Sequence, residues 1–256
     1  MISTKGYNAT DLDPISTFER HVFHRDQFAH YLRWSFMLKR VGRSERIVDF
    51  GCGKGHLLET LYRNQHTPEA YFGFDIRTQT VQKAAAKFSL PWAKFYAVDL
   101  VKAEPGTFTA MNMNADHVCS FEVLEHIGKQ NAPRYLENFK ACGNQTATYY
   151  LSTPNFDPGV GAAGNHTYDS GDGNGAVPQE FDHKELQALL IQSGFIIKEK
   201  FGTFASIKDY KHLMNEHQRF VFDALYKYYD SNLISVIMAP MFPENSRNTL
   251  WVMVKA

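Results

Sequence analysis

The sequence is short of cysteine, carries no excess of either charge, has no long apolar run and shows no internal repeat. Each lack narrows the field. Cys52, Cys119 and Cys142 are odd in number and contain no Cys-x-x-Cys pair, which argues against a disulfide framework or a zinc ribbon. Lys+Arg and Asp+Glu both total 27, so the basic excess that drives tracking of a phosphate backbone is missing. An extended nucleic-acid footprint is therefore not expected, although a short contact with one nucleotide stays open. No apolar run approaches the roughly 18 residues of a membrane span, and residues 1–10 lack the basic-then-apolar pattern of a signal peptide. These features lead us to expect a reduced, cytoplasmic protein, with its oligomeric state undetermined.

What is present is an alternation of short apolar runs and helical patterns. Strands are expected at 46–50, 70–75, 93–99, 116–121, 146–152, 195–201 and 248–254, and helices at 56–64, 78–88, 132–141 and 185–193. Strands separated by helices imply an α/β fold with a doubly wound, mostly parallel sheet. An aromatic-rich helical segment from Ser16 to Leu38 precedes them, with Ser16 and Glu19 spaced as a capping box. The Gly-rich stretch 156–181 reads as a long loop. Helical periodicity over 206–243 reads as an insertion before the last strand. The whole chain is taken as one domain: an N-terminal helical segment (1–45), a core (46–205), the insertion (206–243) and a last strand (244–256).

Gly51, Gly53 and Gly55 lie between a strand and a helix, where glycines permit a tight turn and close approach of a ligand. The loop reads Gly-x-Gly-x-Gly, with His56 where the third glycine of a dinucleotide fingerprint would stand, and no P-loop pattern occurs. Asp75 ends the next strand, 20 residues past Gly55 (75 − 55), where a carboxylate can accept both hydroxyls of a ribose. Asp99 ends the third, at the carboxyl edge where open α/β sheets bind ligands. With Asp49 at the end of the first strand, three acids stand at successive strand ends.

The run Val48-Asp-Phe-Gly-Cys-Gly-Lys-Gly55, the strand-end Asp75, Asp99 and Phe121-Glu-Val-Leu-Glu-His126 resemble the class I S-adenosylmethionine-dependent methyltransferases over about residues 45–200. The resemblance implies a Rossmann-like, seven-stranded sheet with a reversed last hairpin, and S-adenosylmethionine as cofactor. It implies that Asp49 and the glycines, with Cys52 among them, hold the methionine part, Asp75 the ribose, and Asp99 with Leu100 the adenine. Ile76, Phe121 and Glu122 complete the expected cofactor-binding set.

Glu122, Glu125 and His126 are spaced i, i+3 and i+4, so on a helical turn all three would face one way. Two carboxylates and an imidazole suit Mg²⁺ or Mn²⁺. The same pattern also fits a helix start with acids favoured by its dipole and a histidine that packs or meets an acceptor. Glu-x-x-Glu-His, Leu151-Ser-Thr-Pro-Asn155 and Gly164-Asn-His166-Thr-Tyr168 resemble the ubiquinone-biosynthesis O-methyltransferases and, more distantly, enzymes that methylate the 2′-hydroxyl at small-RNA 3′ ends. The latter resemblance implies a metal set of Glu122, Glu125, His126 and His166; the sequence departs from that pattern in the stretch Asp169–Gln179, which separates the His166 motif from the following helix and makes His183 a substitute candidate. An ion there would lower the pKa of an acceptor hydroxyl. Without one, His126 or His166 would be the catalytic base. No Pro-Cys nucleophile occurs, and Ser152-Thr-Pro-Asn155 stands where amino-methylating DNA enzymes carry [Asn/Asp]-Pro-Pro-[Tyr/Phe]. The expected acceptor is a hydroxyl of a small molecule or of a terminal nucleotide. A stripe of Lys198, Lys200, Lys208 and Lys211 would instead favour nucleic acid or protein, and the remaining alternative is a non-catalytic S-adenosylmethionine-binding subunit that regulates or scaffolds a partner.

Overall fold

The structure is a computed structural model that describes residues 25–104, 106–156, 167–168 and 177–256. It divides into two compact units: 41–200 with 248–256, and 201–247 with the described residues up to Arg40.

In chain order the elements are α1 (Arg25–Leu38), β1 (Arg46–Phe50), α2 (His56–Arg63), β2 (Ala70–Asp75), α3 (Thr78–Lys87), β3 (Ala93–Ala97), α4 (Thr107–Ala110), β4 (Ala115–Phe121), α5 (Ala132–Ala141) and β5 (Gly143–Pro154). Then come β6 (Thr167–Tyr168), β7 (Val177–Pro178), α6 (His183–Gln192), β8 (Phe195–Phe204), α7 (Ile207–Tyr210), α8 (Glu216–Tyr226), α9 (Ser231–Met238) and β9 (Asn248–Lys255). The main sheet has seven strands in the order β3-β2-β1-β4-β5-β9-β8. The pairings β1–β2, β1–β4, β2–β3 and β4–β5 are parallel, and β9 runs antiparallel to β5. This is the expected Rossmann-like methyltransferase sheet, with the order reversing between β1 and β4.

The central strand β1 is fully buried from Ile47 to Phe50, as a parallel strand covered on both faces must be. Side chains alternate across the sheet. Val48 and Phe50 of β1, Phe72 and Phe74 of β2 and Val118 of β4 belong to the main core. There Phe50 meets Phe74, Phe108, Tyr135 and Phe139 at ring-centroid distances of 5.2–5.7 Å. Such edge and tilted contacts add about 0.5–1.5 kcal/mol per pair to plain burial. The opposite face carries Asp49, Tyr71, Gly73, Asp75 and Cys119, and this is the face that matters for the site.

Several elements differ from expectation. β3 stops at Ala97, so Asp99 lies two residues beyond the strand, in a turn closed by Ala103 N–H on Asp99 O. β5 and β8 are longer at both or one end, and the four-residue α4 carries no periodic pattern long enough to read. Within 156–181, Thr167–Tyr168 pairs antiparallel with Val177–Pro178. α6 opens two residues before its expected start because Asp182 and Glu185 form a reciprocal capping box. The capping box expected at Ser16–Glu19 lies outside the described residues, as do 157–166 and 169–176.

In the unit containing 201–247, α7, α8 and α9 bury Tyr210, Met214, Phe222, Ile234 and Met238 in a core of their own. α9 packs against α1, with Ala29, Phe204 and Val236 between them. Of the aromatics between 204 and 229, Tyr210 and Phe222 are core, whereas Phe220, Tyr226, Tyr228 and Tyr229 are exposed. No helix of the described residues is long and apolar enough to cross a membrane.

Candidate active site

The loop after β1 turns on three glycines in the left-handed region: Gly51 (φ 78°), Gly53 (φ 54°) and Gly55 (φ 78°). At Gly51 the requirement is doubled, because an added Cβ would stand 2.2 Å from Val123 Cγ2. The turn is held to β2 by its own backbone: Gly51 and Cys52 N–H both donate to Phe74 O, at 2.7 and 2.9 Å. Gly53 N–H donates to Asp75 Oδ2 at 3.1 Å. The donors of residues 51–53 are thus spent on β2, and the loop acts as a bracket for Asp75.

Asp75 is buried, yet both its oxygens are well supplied. Oδ1 accepts from Arg77 N (2.9 Å) and Nε (3.1 Å), and Oδ2 from Gly53 N and Arg77 Nη2 (3.2 Å). The Asp75 hydrogen bonds raise the Arg77 pKa above its ordinary value, although the Arg77 side chain is 67% exposed. Asp99 Oδ1 accepts from Val101 N at 2.9 Å and Lys102 N at 3.0 Å, pinning the turn that follows β3.

Asp49 is buried as well. Its Oδ2 accepts a 2.6 Å hydrogen bond from the fully buried Tyr71 hydroxyl. Burial pushes its pKa up to about 7, against the lowering effect of that hydrogen bond. The residue opposite Asp49 in the β1–β2 register is Gly73, which has no side chain, and Tyr71 reaches in from the diagonal position. Tyr71 was absent from the expected site. Its signal was the two-residue period of β2, which puts Tyr71, Gly73 and Asp75 on one face.

Beyond β4, the backbone departs from the helical turn assumed from spacing. Glu122 has φ 56°, in the left-handed region, and a short 3₁₀ turn begins only at Leu124. Glu122 Oε1 accepts from Ser152 Oγ (2.9 Å) and Oε2 from Asn248 Nδ2 (2.8 Å). The buried Glu125 accepts from Thr153 Oγ1 at 3.1 Å, and its Oε1 lies 3.7 Å from His126 Nε2. The His126 side chain is 58% exposed. Glu125 and His126 thus stand side by side, Glu122 is held toward β5 and β9, and among the described residues no three acidic, thiol or imidazole groups are placed to hold a metal ion. His166 lies outside the described residues. His183 stands at the start of α6, where its Nε2 is hydrogen-bonded by Asn155 Nδ2.

A cleft of about 620 Å³ opens at this carboxyl edge. Of the expected residues it is lined by Gly51, Asp75, Ile76, Asp99, Leu100, Glu122 and His126, and also by Arg77, Val123, Ile127 and Asn131. Asp49, Cys52, Gly53, Gly55 and Phe121 are not in its wall. Arg77, placed two residues beyond a strand-end acid, was not foreseen. Of the lysine stripe, Lys200 and Lys211 each lie over an aromatic ring, Trp251 and Phe222, at 4.8 and 5.3 Å.

A family profile described as a methyltransferase domain matches residues 18–217. Among solved structures, the chain is similar to an S-adenosylmethionine-dependent methyltransferase of Mesorhizobium loti (17% identity, covering 90% of this chain and 99% of that one, TM-score 0.56). It is similar to the magnesium protoporphyrin IX methyltransferase ChlM of Synechocystis with bound S-adenosylhomocysteine (14%, 92% and 84%, 0.53). The methyltransferase domain of bacterial CtHen1-CN is another neighbour (18%, 90% and 100%, 0.54). No curated protein sequence matches the chain.

Proposed function

The chain belongs to the class I S-adenosylmethionine-dependent methyltransferases, and from that premise we propose that it methylates a hydroxyl oxygen of a small molecule or a terminal nucleotide. The observation carrying the acceptor half is His126. Its exposed imidazole stands in the wall of the same cleft as Asp75 and Asp99, with the buried Glu125 carboxylate 3.7 Å from Nε2. A histidine beside a carboxylate is a suitable general base for a hydroxyl.

The cleft volume lies within the range of about 300–1,000 Å³ typical of small-molecule sites. In this reading Asp75, with Ile76, takes the ribose hydroxyls, Asp99 and Leu100 the adenine, and the Gly51 end of the cleft the methionine part, over Asp49. Bound S-adenosylmethionine supplies a methyl group activated on a sulfonium. The residues' work is then placement and proton transfer. Gly53 holds Asp75 in position, Glu122 shapes the cleft wall, and His126 takes the acceptor proton at Nε2 or Nδ1. Positioning of two reactants contributes much of such a rate. Glu122 and Glu125 accept hydrogen bonds from Ser152, Asn248 and Thr153, and no step is assigned to a metal.

Calorimetry with S-adenosylhomocysteine on wild type and Asp75→Ala tests the cofactor half: micromolar-range binding, weakened about 100-fold or more in the variant, is expected for loss of a bidentate charged acceptor. A methyl-transfer screen led by catechols and ribose hydroxyls tests the other half. His126→Ala should bind S-adenosylhomocysteine normally and lose roughly 10²-fold or more in turnover. Unchanged turnover would remove His126 as the base.

A further inference from the structure

The Asp49 carboxylate sits one residue before the end of β1, with only Phe50 between it and the glycine turn, on the same sheet face as Asp75. Burying a carboxylate is costly unless it is paired or hydrogen-bonded. Among the described residues no cation pairs with it, and its one hydrogen-bond donor is neutral, the Tyr71 hydroxyl at 2.6 Å. The groups that interact with it electrostatically are all acidic or uncharged: Tyr71 and Asp75 from β2, Cys119 from β4, Cys52 from the glycine loop and, from across the sheet, Tyr135 of α5. Burial raises the Cys52, Cys119, Tyr71 and Tyr135 groups, so these stay protonated at neutral pH. Arg77 belongs to Asp75. Among the described residues, Asp49 is thus a buried carboxyl group near the Gly51 end of the cleft that no side-chain cation of the protein neutralises.

We propose that Tyr71 is a positioning residue for the cofactor: its buried hydroxyl holds Asp49 in the orientation and charge state that complement the α-ammonium of the methionine part. This rests on the reading that Asp49 serves that part of the cofactor. Tyr71 does not touch the ligand. It acts by donating to Oδ2, which favours the carboxylate over the acid and leaves Oδ1 as the acceptor for charge. Proton binding at Asp49 and ammonium binding then oppose one another, and the hydroxyl sets the pH at which the second prevails.

The test compares two ligands that differ at that end: S-adenosylhomocysteine, which carries the amino-acid part, and 5′-methylthioadenosine, which lacks it. Their affinities are measured by calorimetry from pH 6 to 8. In the wild type, S-adenosylhomocysteine should gain affinity relative to 5′-methylthioadenosine as pH rises through the range where Asp49 ionises, near 7. Tyr71→Phe keeps the ring and removes only the donor. It should weaken S-adenosylhomocysteine about tenfold at pH 7, recover part of the loss at pH 8, and leave 5′-methylthioadenosine unchanged. Equal loss for both ligands, or a loss that does not vary with pH, would mean a merely structural hydroxyl and overturn the proposal. If Tyr71→Phe does not fold, a flat wild-type ratio across the pH range overturns it equally. Asp49→Asn separates the underlying reading: full S-adenosylhomocysteine affinity in that variant sinks the assignment of Asp49 itself, whereas a loss there with none in Tyr71→Phe sinks only the role of the tyrosine.

Discussion

The turn after β1 and the turn after β4 both border the cleft, both contain left-handed backbone, and they arrive at it by opposite means. After β1 the left-handed positions are glycines, which adopt that backbone without steric cost, so the turn is local property. After β4 the left-handed residue is Glu122, whose carboxylate is gripped by Ser152 from β5 and Asn248 from β9. A non-glycine residue in this region costs on the order of 1–3 kcal/mol and persists when surrounding contacts over-determine it. The first turn is built into its own residues, and the second is imposed by strands 30 and 126 positions away.

That contrast can be broken at its strongest point first. Gly51→Ala places a Cβ on left-handed backbone and against Val123 Cγ2. It should cost about 2–4 kcal/mol, read by denaturant unfolding, and displace Val123 in the cleft wall. Tolerance of alanine there would mean the turn is not locally dictated. A smaller effect is expected on the other side. Asn248→Ala leaves Glu122 Oε2 without its amide donor and should cost about 1 kcal/mol, with turnover reduced several-fold because the cleft wall relaxes. If stability and turnover are both unchanged, the grip from β9 is not what holds Glu122. The smallest effect sharpens how the first turn presents Asp75. The exposed Arg77 guanidinium occupies the carboxylate that a ribose diol would use, so Arg77→Ala should tighten S-adenosylhomocysteine by about threefold, in keeping with the modest worth of an exposed ion pair. Raised salt should narrow the difference between the two proteins. Weaker binding in the variant would instead make Arg77 a contributor to the site.

The same distinction explains which parts were legible in the chain. β1, β2 and α5 were readable to the residue because their apolar patterns are long and their ends are marked by glycine, aspartate or proline. The glycine loop was readable because each glycine answers a backbone requirement of its own. Asp75 and Asp99 were readable as cleft residues from their places after strands, although Asp99 proved to lie in a turn rather than on β3. Three things were not readable. The direction of Glu122 depended on Asn248, which nothing nearby in sequence announces. The pair Tyr71–Asp49 depended on the register of β1 against β2, a one-residue slip of which would put the tyrosine on the other face. The engagement of Asp75 by Arg77 depended on the chain turning back over the strand end.

By itself, then, the sequence determined the alternation of strands and helices, the glycine turn and the row of acids at strand ends, because these follow from periodicity and from the backbone demands of single residues. The tertiary structure alone decided which of those acids face the cleft and which lie beneath it, and that Glu122 turns toward Ser152 and Asn248 while Glu125 turns toward Thr153 and His126. The physical reason is that a side chain's direction and charge state are set by its neighbours across the sheet. Those neighbours are chosen by strand register and by a β9 that reaches the site only at the far end of the chain.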